Sequence, residues 1–383
     1  MADSGSRLAF VLGTSAGGVG RHVAMLAGGL VRRGHQVVVA GPPDTEDAFG
    51  FGRLGARFVP VPISDRPRPR GDLRAVRALR ALRGAHAVHA HGLRAGALAA
   101  LALTGTRTGL VVTLHNAATA GGAIGAVYGA LERIVARRAD RILVVSPDLG
   151  ERMTALGARW VEAAVVPAPA LVPSGRSREE IRTELGIGDR PVLLTVARLA
   201  QQKGLEVLLD VAAAFGPGRP PTGPASRAIF LVAGEGPLLH ELQSRIDRED
   251  LPVRLLGARG DVVDLLGIAR ALLVPSRWEG QPLVVQEALR AGTPVIATAV
   301  GGVPSMVGEG GLLVRYGDVA ATHDAVGRVL ADDELAGVLA AAAAGRGAEL
   351  PGPEQALDAV LAVYGGLSRE YEHGSKTQAP PDR

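Results

Sequence analysis

The fold of this chain is decided by Val274-Pro-Ser-Arg-Trp-Glu-Gly-Gln-Pro-Leu-Val-Val-Gln-Glu-Ala-Leu-Arg-Ala-Gly-Thr-Pro-Val-Ile-Ala297. The apolar run 271–274 just before it predicts a buried strand, which stops at Pro275. A helix follows with Pro282 at its first position, where the missing N–H would have had no helical partner. Another strand begins at Pro294. Strand, helix and strand in this order predict a parallel α/β sheet.

Two carboxylates flank the start of that predicted helix. Glu279 lies on the preceding loop, and Glu287 lies within the first two helical turns. The unpaired N–H groups and the dipole of a helix N-terminus attract an anion such as phosphate. Carboxylates accept hydrogen bonds from sugar hydroxyls. The stretch therefore predicts a nucleotide-sugar site.

Composition sets the class of protein. The chain has 383 residues, 47% of them hydrophobic, which is enough for two domains with separate cores. It has no cysteine, and this excludes disulfides and a cysteine nucleophile. We find neither a signal peptide nor a membrane span, so we expect a cytoplasmic protein.

Charge is distributed unevenly along the chain. Residues 1–170 hold 21 arginines and 11 acidic residues, whereas the remainder holds 21 basic and 27 acidic residues. A basic half favours anionic partners, such as phosphorylated substrates or the inner face of the plasma membrane. Aromatic residues make up only 3% of the sequence, which argues against nucleic-acid binding by base stacking.

The N-terminal part opens like a doubly wound sheet. An apolar strand over 8–12 precedes the loop Gly13-Thr-Ser-Ala-Gly-Gly-Val-Gly20, a helix over 21–33 and a strand over 36–40. The loop fits neither dinucleotide nor P-loop patterns. Two interpretations stay open for it: a tight turn before a helix, or backbone contact with phosphate or substrate.

Arginines repeat through residues 66–83. Leucine or valine recurs every three residues from Asp72 onward, which predicts an amphipathic helix carrying Arg74, Arg77 and Arg80, while Pro67 and Pro69 keep the earlier part out of it. This helix either packs on the sheet with a solvated face or contacts an anionic lipid surface or lipid-linked acceptor.

Two predicted strands end in histidine, at His91 and His115. Ligands of parallel sheets bind beyond the carboxyl ends of the strands, so both histidines are candidates for one crevice. A proline-rich connector over 165–175 follows, and the α/β pattern then restarts.

The second half carries two cations after its first strand. Arg198 follows the strand and Lys203 begins the next helix, a placement that suits a diphosphate leaving group. Lys203 is one of only two lysines. The chain has no Asp-x-Asp pair, the common carboxylate device for a nucleotide-bound metal, so no metal is expected.

Taken together, Arg198-x4-Lys203, Gly234-Glu-Gly-Pro237 and Glu279-x7-Glu287 make the chain resemble the retaining glycosyltransferases of family 4. These enzymes have the GT-B fold, in which two Rossmann-like doubly wound domains face each other across a cleft. The resemblance implies retention of the anomeric configuration, with no metal or other cofactor. It implies an acceptor-binding domain over 1–170, a nucleotide-sugar domain over 171–350 and a helix over 351–369 that crosses back. We expect residues 370–383 to be a disordered tail.

The resemblance also implies roles for single residues. Arg198 and Lys203 would hold the diphosphate, Glu279 the transferred sugar and Glu287 the ribose, while Gly18 would approach phosphate or acceptor. His115 would line the reacting centre. The implied catalytic residues are His115, Arg198, Lys203 and Glu279, and the implied donor-binding residues are Gly18, Arg198, Lys203, Glu279, Gly280, Gln281, Pro282, Leu283 and Glu287. To these we add Arg259, which follows the strand 253–257 and is a candidate neighbour of the base.

Two positions depart from the family pattern. Pro167-Ala-Pro-Ala replaces the usual Pro-Asn-Gly-Val-Asp-like segment, and Gln281 replaces a phenylalanine. The expected activity is transfer from a UDP- or GDP-sugar to a lipid-linked or anionic acceptor in cell-wall or exopolysaccharide synthesis. The alternatives are a UDP-sugar 2-epimerase, a small-molecule glycosyltransferase acting on an inositol phosphate or a natural product, and a non-catalytic partner that binds no donor.

Overall fold

The computed structural model describes residues 5–15, 17–116, 122–170, 172–216 and 227–376, with the backbone alone at 123 and 368–376. The chain divides into two compact units. The first unit comprises Met1–Pro167 and Pro351–Arg383, and the second comprises Ala168–Leu350.

The first unit contains a parallel sheet in the order β3-β2-β1-β4-β5-β6-β7. Its central strands are buried along their whole length, as expected for a parallel sheet covered on both faces. The elements are β1 (Arg7–Leu12), α1 (Gly18–Arg32), β2 (Gln36–Gly41), α2 (Pro43–Phe49), β3 (Arg57–Pro60), α3 (Pro69–Leu79), β4 (Ala87–His91), α4 (Leu93–Ala102), β5 (Gly109–Leu114), α5 (Gly122–Arg138), β6 (Arg141–Val144), α6 (Pro147–Ala155) and β7 (Val161–Ala163).

The second unit contains a parallel sheet in the order β10-β9-β8-β11-β12-β13. Alternate residues of β8 belong to two different hydrophobic clusters. Leu193 belongs to one cluster, whereas Val192 and Leu194 belong to the other, so a core lies on each face of the sheet. The elements are α7 (Arg178–Glu184), β8 (Val192–Val196), α8 (Leu205–Ala213), β9 (Ile229–Ala233), α9 (Leu239–Glu249), β10 (Val253–Gly257), α10 (Val262–Ile268), β11 (Ala271–Val274), α11 (Leu283–Arg290), β12 (Val295–Thr298), α12 (Val303–Val307), β13 (Gly311–Val314), α13 (Val319–Ala331) and α14 (Asp333–Glu349).

The last helix, α15 (Pro353–Lys376), belongs to the first unit. Leu357 occupies the space that a side chain on Gly29 would need, and Leu367 occupies the space that a side chain on Gly109 would need. Both glycines therefore let the helix approach closely. Arg33 adds ion pairs of 2.6 Å to Glu354 and Asp358.

Several element boundaries differ from the sequence predictions, among them the start of α1, which lies at Gly18 and not at residue 21. Pro282 is the N-cap residue of α11 and not its first helical residue, because its ψ of 118° is extended. Helix α3 begins at Pro69, since proline fits the first helical turn, and ends before Arg80. Helix α15 continues to Lys376, beyond the predicted end at residue 369. Residues 377–383 of the predicted tail lie outside the described residues.

Candidate functional sites

The order of the second sheet reverses between β8 and β11, which pair side by side. Such a switch point opens a crevice, because the loops that follow the two strands leave the sheet on opposite faces. Arg198 and Lys203 lie on the loop after β8, and Glu279 lies on the loop after β11. The sequence-predicted cations and carboxylate therefore follow the two strands that form the crevice.

Glycines allow these loops to touch through their backbones. A side chain on Gly204, whose φ is +61°, would stand 2.0 Å from the carbonyl oxygen of Pro275. Likewise, a side chain on Gly301, whose φ is +54°, would stand 1.9 Å from the carbonyl oxygen of Glu279. A third approach joins Gly234 to Ala197. A larger residue at any of these positions would push the loops apart, so glycine is needed for their close approach.

Lys203 and Glu279 form the centre of the second-unit site. Lys203 Nζ donates to Glu279 Oε1 at 2.6 Å, and Ser276 Oγ donates to the same oxygen at 2.7 Å. The Glu279 side chain is 8% exposed and that of Lys203 is 24% exposed. A carboxylate held by an ammonium and a hydroxyl is a fixed hydrogen-bond acceptor, which suits a ligand for hydroxyls better than a general base.

Most of the other residues predicted to bind the donor lie close to Lys203 or Glu279 in the sequence. Arg198 is exposed and forms no ion pair with another described residue. Gly280 and Pro282 are buried and lead into α11, and Glu287 is half-buried one turn further on. The first N–H groups of α11 and the Arg198 guanidinium can both bind an anion.

Arg259 has protein partners of its own. Its guanidinium donates to both oxygens of Asp261, at 2.8 and 2.6 Å, and to Glu184 at 3.0 Å. Arg176 joins the same carboxylates. The structure thus places Arg259 in an ionic network between α7 and α10 and does not join it to Lys203 or Glu279.

The linker residue Ala168 is attached to α11. Its N–H donates to Gln286 Oε1 at 2.9 Å, and its carbonyl accepts from Arg290 at 3.0 Å. The linker at Ala168 is therefore fixed to α11 through its backbone.

The first unit has a cavity of about 380 Å³ at its own switch point, between β1 and β4. Residues at or just after the ends of three strands line it. They include Gly13, Thr14 and Ser15 after β1, His91 at the end of β4 and Arg94 on α4, and His115 and Asn116 after β5. The cavity thus brings together the two histidines that the sequence analysis assigned to one crevice.

His91 and His115 belong to a larger buried group, which was not predicted from the sequence. His91 Nδ1 and His115 Nε2 are 3.0 Å apart, and the ring of His89 stacks on that of His91 at 4.3 Å. Helix α1 adds His22, and α15 adds Tyr364, whose hydroxyl bonds His89 at 2.6 Å. The spacing His89-x-His91 was the available signal, since alternate residues of a strand share one face. We call His22, His89, His91, His115 and Tyr364 the histidine column.

Burial keeps these histidines neutral. It lowers the pKa of His115 to about 4 and, with the nearby His115, that of His89 to about 3. Burial also lowers the pKa of His22 and His91 well below the ordinary value. Each ring therefore carries one proton at neutral pH.

The glycine loop after β1 has a packing function at one position. A side chain on Gly20 would stand 2.0 Å from the Phe49 ring, so glycine lets α1 approach α2. The Gly20 N–H donates to Ser15 Oγ at 3.0 Å. Gly18 is the first residue of α1 and is half-buried. Ala16 lies outside the described residues.

The arginines of α3 are on the surface. Arg74 and Arg77 on the helix and Arg80 just after it are exposed, as is Leu73. Among the described helices none is long and apolar enough to cross a membrane. Within the described part of the chain, no three His, Cys, Asp or Glu side chains are arranged so that they could hold a metal ion.

Two doubly wound domains in one chain make the GT-B fold. Solved structures have the same architecture: HepE of Anabaena, in complex with UDP, has a TM-score of 0.79 at 18% identity and covers 94% of this chain and 100% of its own. A sucrose-phosphate synthase of Thermosynechococcus elongatus also has a TM-score of 0.79, at 22% identity, covering 95% of this chain and 100% of its own.

Residues 17–169 match the glycosyl transferase 4-like domain, and residues 177–346 match the glycosyl transferases group 1. The chain belongs to the group 1 glycosyltransferases of GT-B fold.

Curated relatives include an α-D-kanosaminyltransferase of Streptomyces kanamyceticus, 29% identical over 50% of this chain and 49% of the relative. A D-inositol 3-phosphate glycosyltransferase of Actinosynnema mirum is 33% identical over 61% of this chain and 59% of the relative. The chain spans about half the length of the curated relatives it matches.

Proposed function

We propose that the chain transfers a sugar from a UDP- or GDP-sugar to an acceptor hydroxyl, with retention of configuration and without a metal. The observation that carries the proposal is the Lys203–Glu279 pair, 2.6 Å apart after the two switch-point strands of the second unit. Arg198 and Lys203 supply positive charge for the diphosphate, and Glu279 accepts hydrogen bonds from the sugar. Family membership supports the reaction class.

In the proposed reaction the bond from the anomeric carbon to the phosphate oxygen breaks and the bond to the acceptor oxygen forms on the same face. The leaving phosphate oxygen takes the proton of the acceptor hydroxyl. Arg198 and Lys203 stabilise the charge that develops on the diphosphate. Glu279, which already binds Lys203, orients the sugar.

The donor is tested by thermal denaturation against a panel of nucleotide-sugars in EDTA. A ligand at 100 times its Kd stabilises the protein by about 2.7 kcal/mol, which is about 5–10 °C for a domain of this size. We expect one sugar nucleotide to give this shift. Stabilisation by none of them contradicts the proposal.

Lys203→Ala tests the diphosphate assignment, with Arg277→Ala as a control that removes a positive charge from the facing loop. Arg277 is exposed and pairs with Glu206. We expect Lys203→Ala to weaken donor binding at least tenfold, because a charge-assisted hydrogen bond contributes about 1.5–3 kcal/mol. Equal affinities of the two variants remove Lys203 from the site.

For the acceptor we propose a lipid-linked or anionic molecule used in cell-wall or exopolysaccharide assembly at the inner membrane surface. The exposed Arg74, Arg77 and Arg80 support this proposal. Flotation with phosphatidylglycerol vesicles tests it: the wild type floats, and neutralising the three arginines releases it. Neutralising Arg133, Arg137 and Arg138, which are exposed on α5, is the matched control and leaves flotation intact. A wild type that stays in the pellet fraction contradicts membrane binding.

A second candidate is transfer to a small molecule, such as an inositol phosphate or a natural product. The first-unit cavity of about 380 Å³ favours it, because that volume suits one small ring. Product formation with a soluble acceptor and no vesicles distinguishes this case. Conversion of the donor alone, with no acceptor, identifies a 2-epimerase instead.

A further inference from the structure

The histidine column ends at the cavity of the first unit. His91 Nδ1 faces His115 Nε2 at 3.0 Å, and both residues line the cavity. Because that contact occupies Nε2 of His115, Nδ1 is the ring nitrogen left to meet a ligand. Whether Nδ1 donates or accepts depends on which nitrogen carries the proton.

Only two arrangements are possible when both rings are neutral. Either His91 donates from Nδ1 to Nε2 of His115, or His115 donates from Nε2 to Nδ1 of His91. Two neutral rings carry two protons, of which one lies in the hydrogen bond between them. In the first arrangement the other proton is on Nδ1 of His115, and in the second arrangement it is on Nε2 of His91.

The surroundings of His91 distinguish these arrangements. Its Nε2 atom is buried and has no hydrogen-bond partner among the residues that the structure describes. A proton there would be a buried N–H without an acceptor, and orphaned N–H groups are rarer in proteins than under-used acceptors. The proton therefore resides on Nδ1 of His91.

We propose that His91 is a positioning residue that holds His115 in the Nδ1–H form, so that His115 presents a hydrogen-bond donor to an oxygen atom of the ligand in the cavity. In this form His115 does not act as a base through Nδ1. This proposal rests on the proposed function in one respect: it assumes that the oxygen atom belongs to a sugar or a phosphate.

The deeper members of the column keep His91 in place. His89 is fixed at both ring nitrogens, by Tyr364 Oη at 2.6 Å and Thr113 Oγ1 at 2.7 Å, and its ring stacks on that of His91. The edge of His22 packs against His91, with ring centroids 5.6 Å apart. His91 is therefore confined on two sides.

Nitrogen NMR on the full chain, labelled with 15N-histidine, tests the tautomer without any substrate. The chain has 9 histidines, and the His115 signals are those that disappear in His115→Gln. We expect a protonated Nδ1 and an unprotonated Nε2 for His115 at pH 7.5. A proton on Nε2, or on both nitrogens, overturns the proposal.

Two substitutions of equal size test His91 itself. The amide of His91→Asn can still donate to His115 Nε2, whereas the carboxylate of His91→Asp can only accept. We expect Asn to keep the Nδ1–H form and Asp to move the proton to Nε2. An unchanged tautomer in a folded His91→Asp protein contradicts the positioning role, and if that variant does not fold, the wild-type spectrum decides.

Activity separates this proposal from the proposed function. With the nucleotide-sugar that stabilises the chain best, we expect kcat/KM to stay within about threefold in His91→Asn and to fall about tenfold or more in His91→Asp, the size of one lost hydrogen bond. Equal losses in both variants, with both folded, indicate a packing role only and overturn the proposal. The predicted tautomer in a protein that binds no nucleotide-sugar leaves the tautomer assignment standing and refutes the proposed function.

Discussion

Replacing Lys203 with methionine should destabilise the second unit through Glu279. The Glu279 side chain is 8% exposed, and without the ammonium the Ser276 hydroxyl would be the one partner of Oε1 among the described residues. Removing one partner of a buried ion pair costs about 3–5 kcal/mol. Because Lys203 is 24% exposed, water can enter in its place, and we expect about 2–4 kcal/mol.

The double variant isolates the interaction. Glu279→Gln removes the carboxylate charge, so Lys203→Met should cost less in that background than in the wild type. We expect the two effects to differ from additivity by about 2 kcal/mol, within the range for residues in contact.

The two tryptophans provide the assay. Trp278 lies in the second unit and Trp160 in the first, so Trp160→Phe leaves a fluorophore that reports urea unfolding of the second unit. Arg277→Met, which breaks an exposed ion pair with Glu206, is the control and should cost under about 1 kcal/mol. A cost below about 1 kcal/mol for Lys203→Met, or strict additivity, would refute the reasoning.

Three further predictions concern the loops and the histidine column. Gly204→Ala should lower the free energy of unfolding by at least about 2 kcal/mol more than Gly188→Ala does. Both glycines have a positive φ, but of the two only Gly204 lies against a carbonyl group. Equal urea midpoints for the two variants contradict this prediction. Tyr364→Phe should cost the first unit about 1–3 kcal/mol by leaving His89 Nδ1 buried and unpaired, measured by Trp160 fluorescence in a Trp278→Phe background. The same probe should show that the first unit loses stability as the pH falls below about 6.5, the ordinary pKa of histidine. In the folded protein the pKa of His115 is about 4 and that of His89 is about 3. The unfolded chain therefore binds protons at these histidines in a pH range where the folded chain does not, and this favours unfolding. The loss should approach about 1.4 kcal/mol per pH unit per histidine, and a flat profile between pH 7.5 and 5.5 contradicts it.

The sequence predicts both sheets because local patterns determine them. Apolar runs, glycine turns and helical periodicity follow one another within each half, and the parallel order follows from strand–helix–strand repetition. The same rule places His91, His115, Arg198 and Glu279 at strand ends. The pattern predicts boundaries less well, as at Pro282, because the helix start depends on a single ψ angle.

Contacts between distant elements could not be predicted from the sequence. Lys203 and Glu279 are 76 residues apart, and His89 and Tyr364 are 275 apart. Their pairing depends on strand order and on the return of α15, which periodicity does not encode. Arg259 illustrates the same limit, since only the fold brings Glu184 to its guanidinium.

The return of α15 to the first unit has a consequence for synthesis on the ribosome. Domains fold as units while the chain emerges, usually from the N-terminus onward. Here the second unit is complete at Leu350, whereas the first lacks Tyr364 and Leu367 until the chain has passed them. The N-terminal unit therefore finishes last. Until then the apolar surface that later packs against α15 is exposed to solvent, a condition that favours aggregation of a nascent chain.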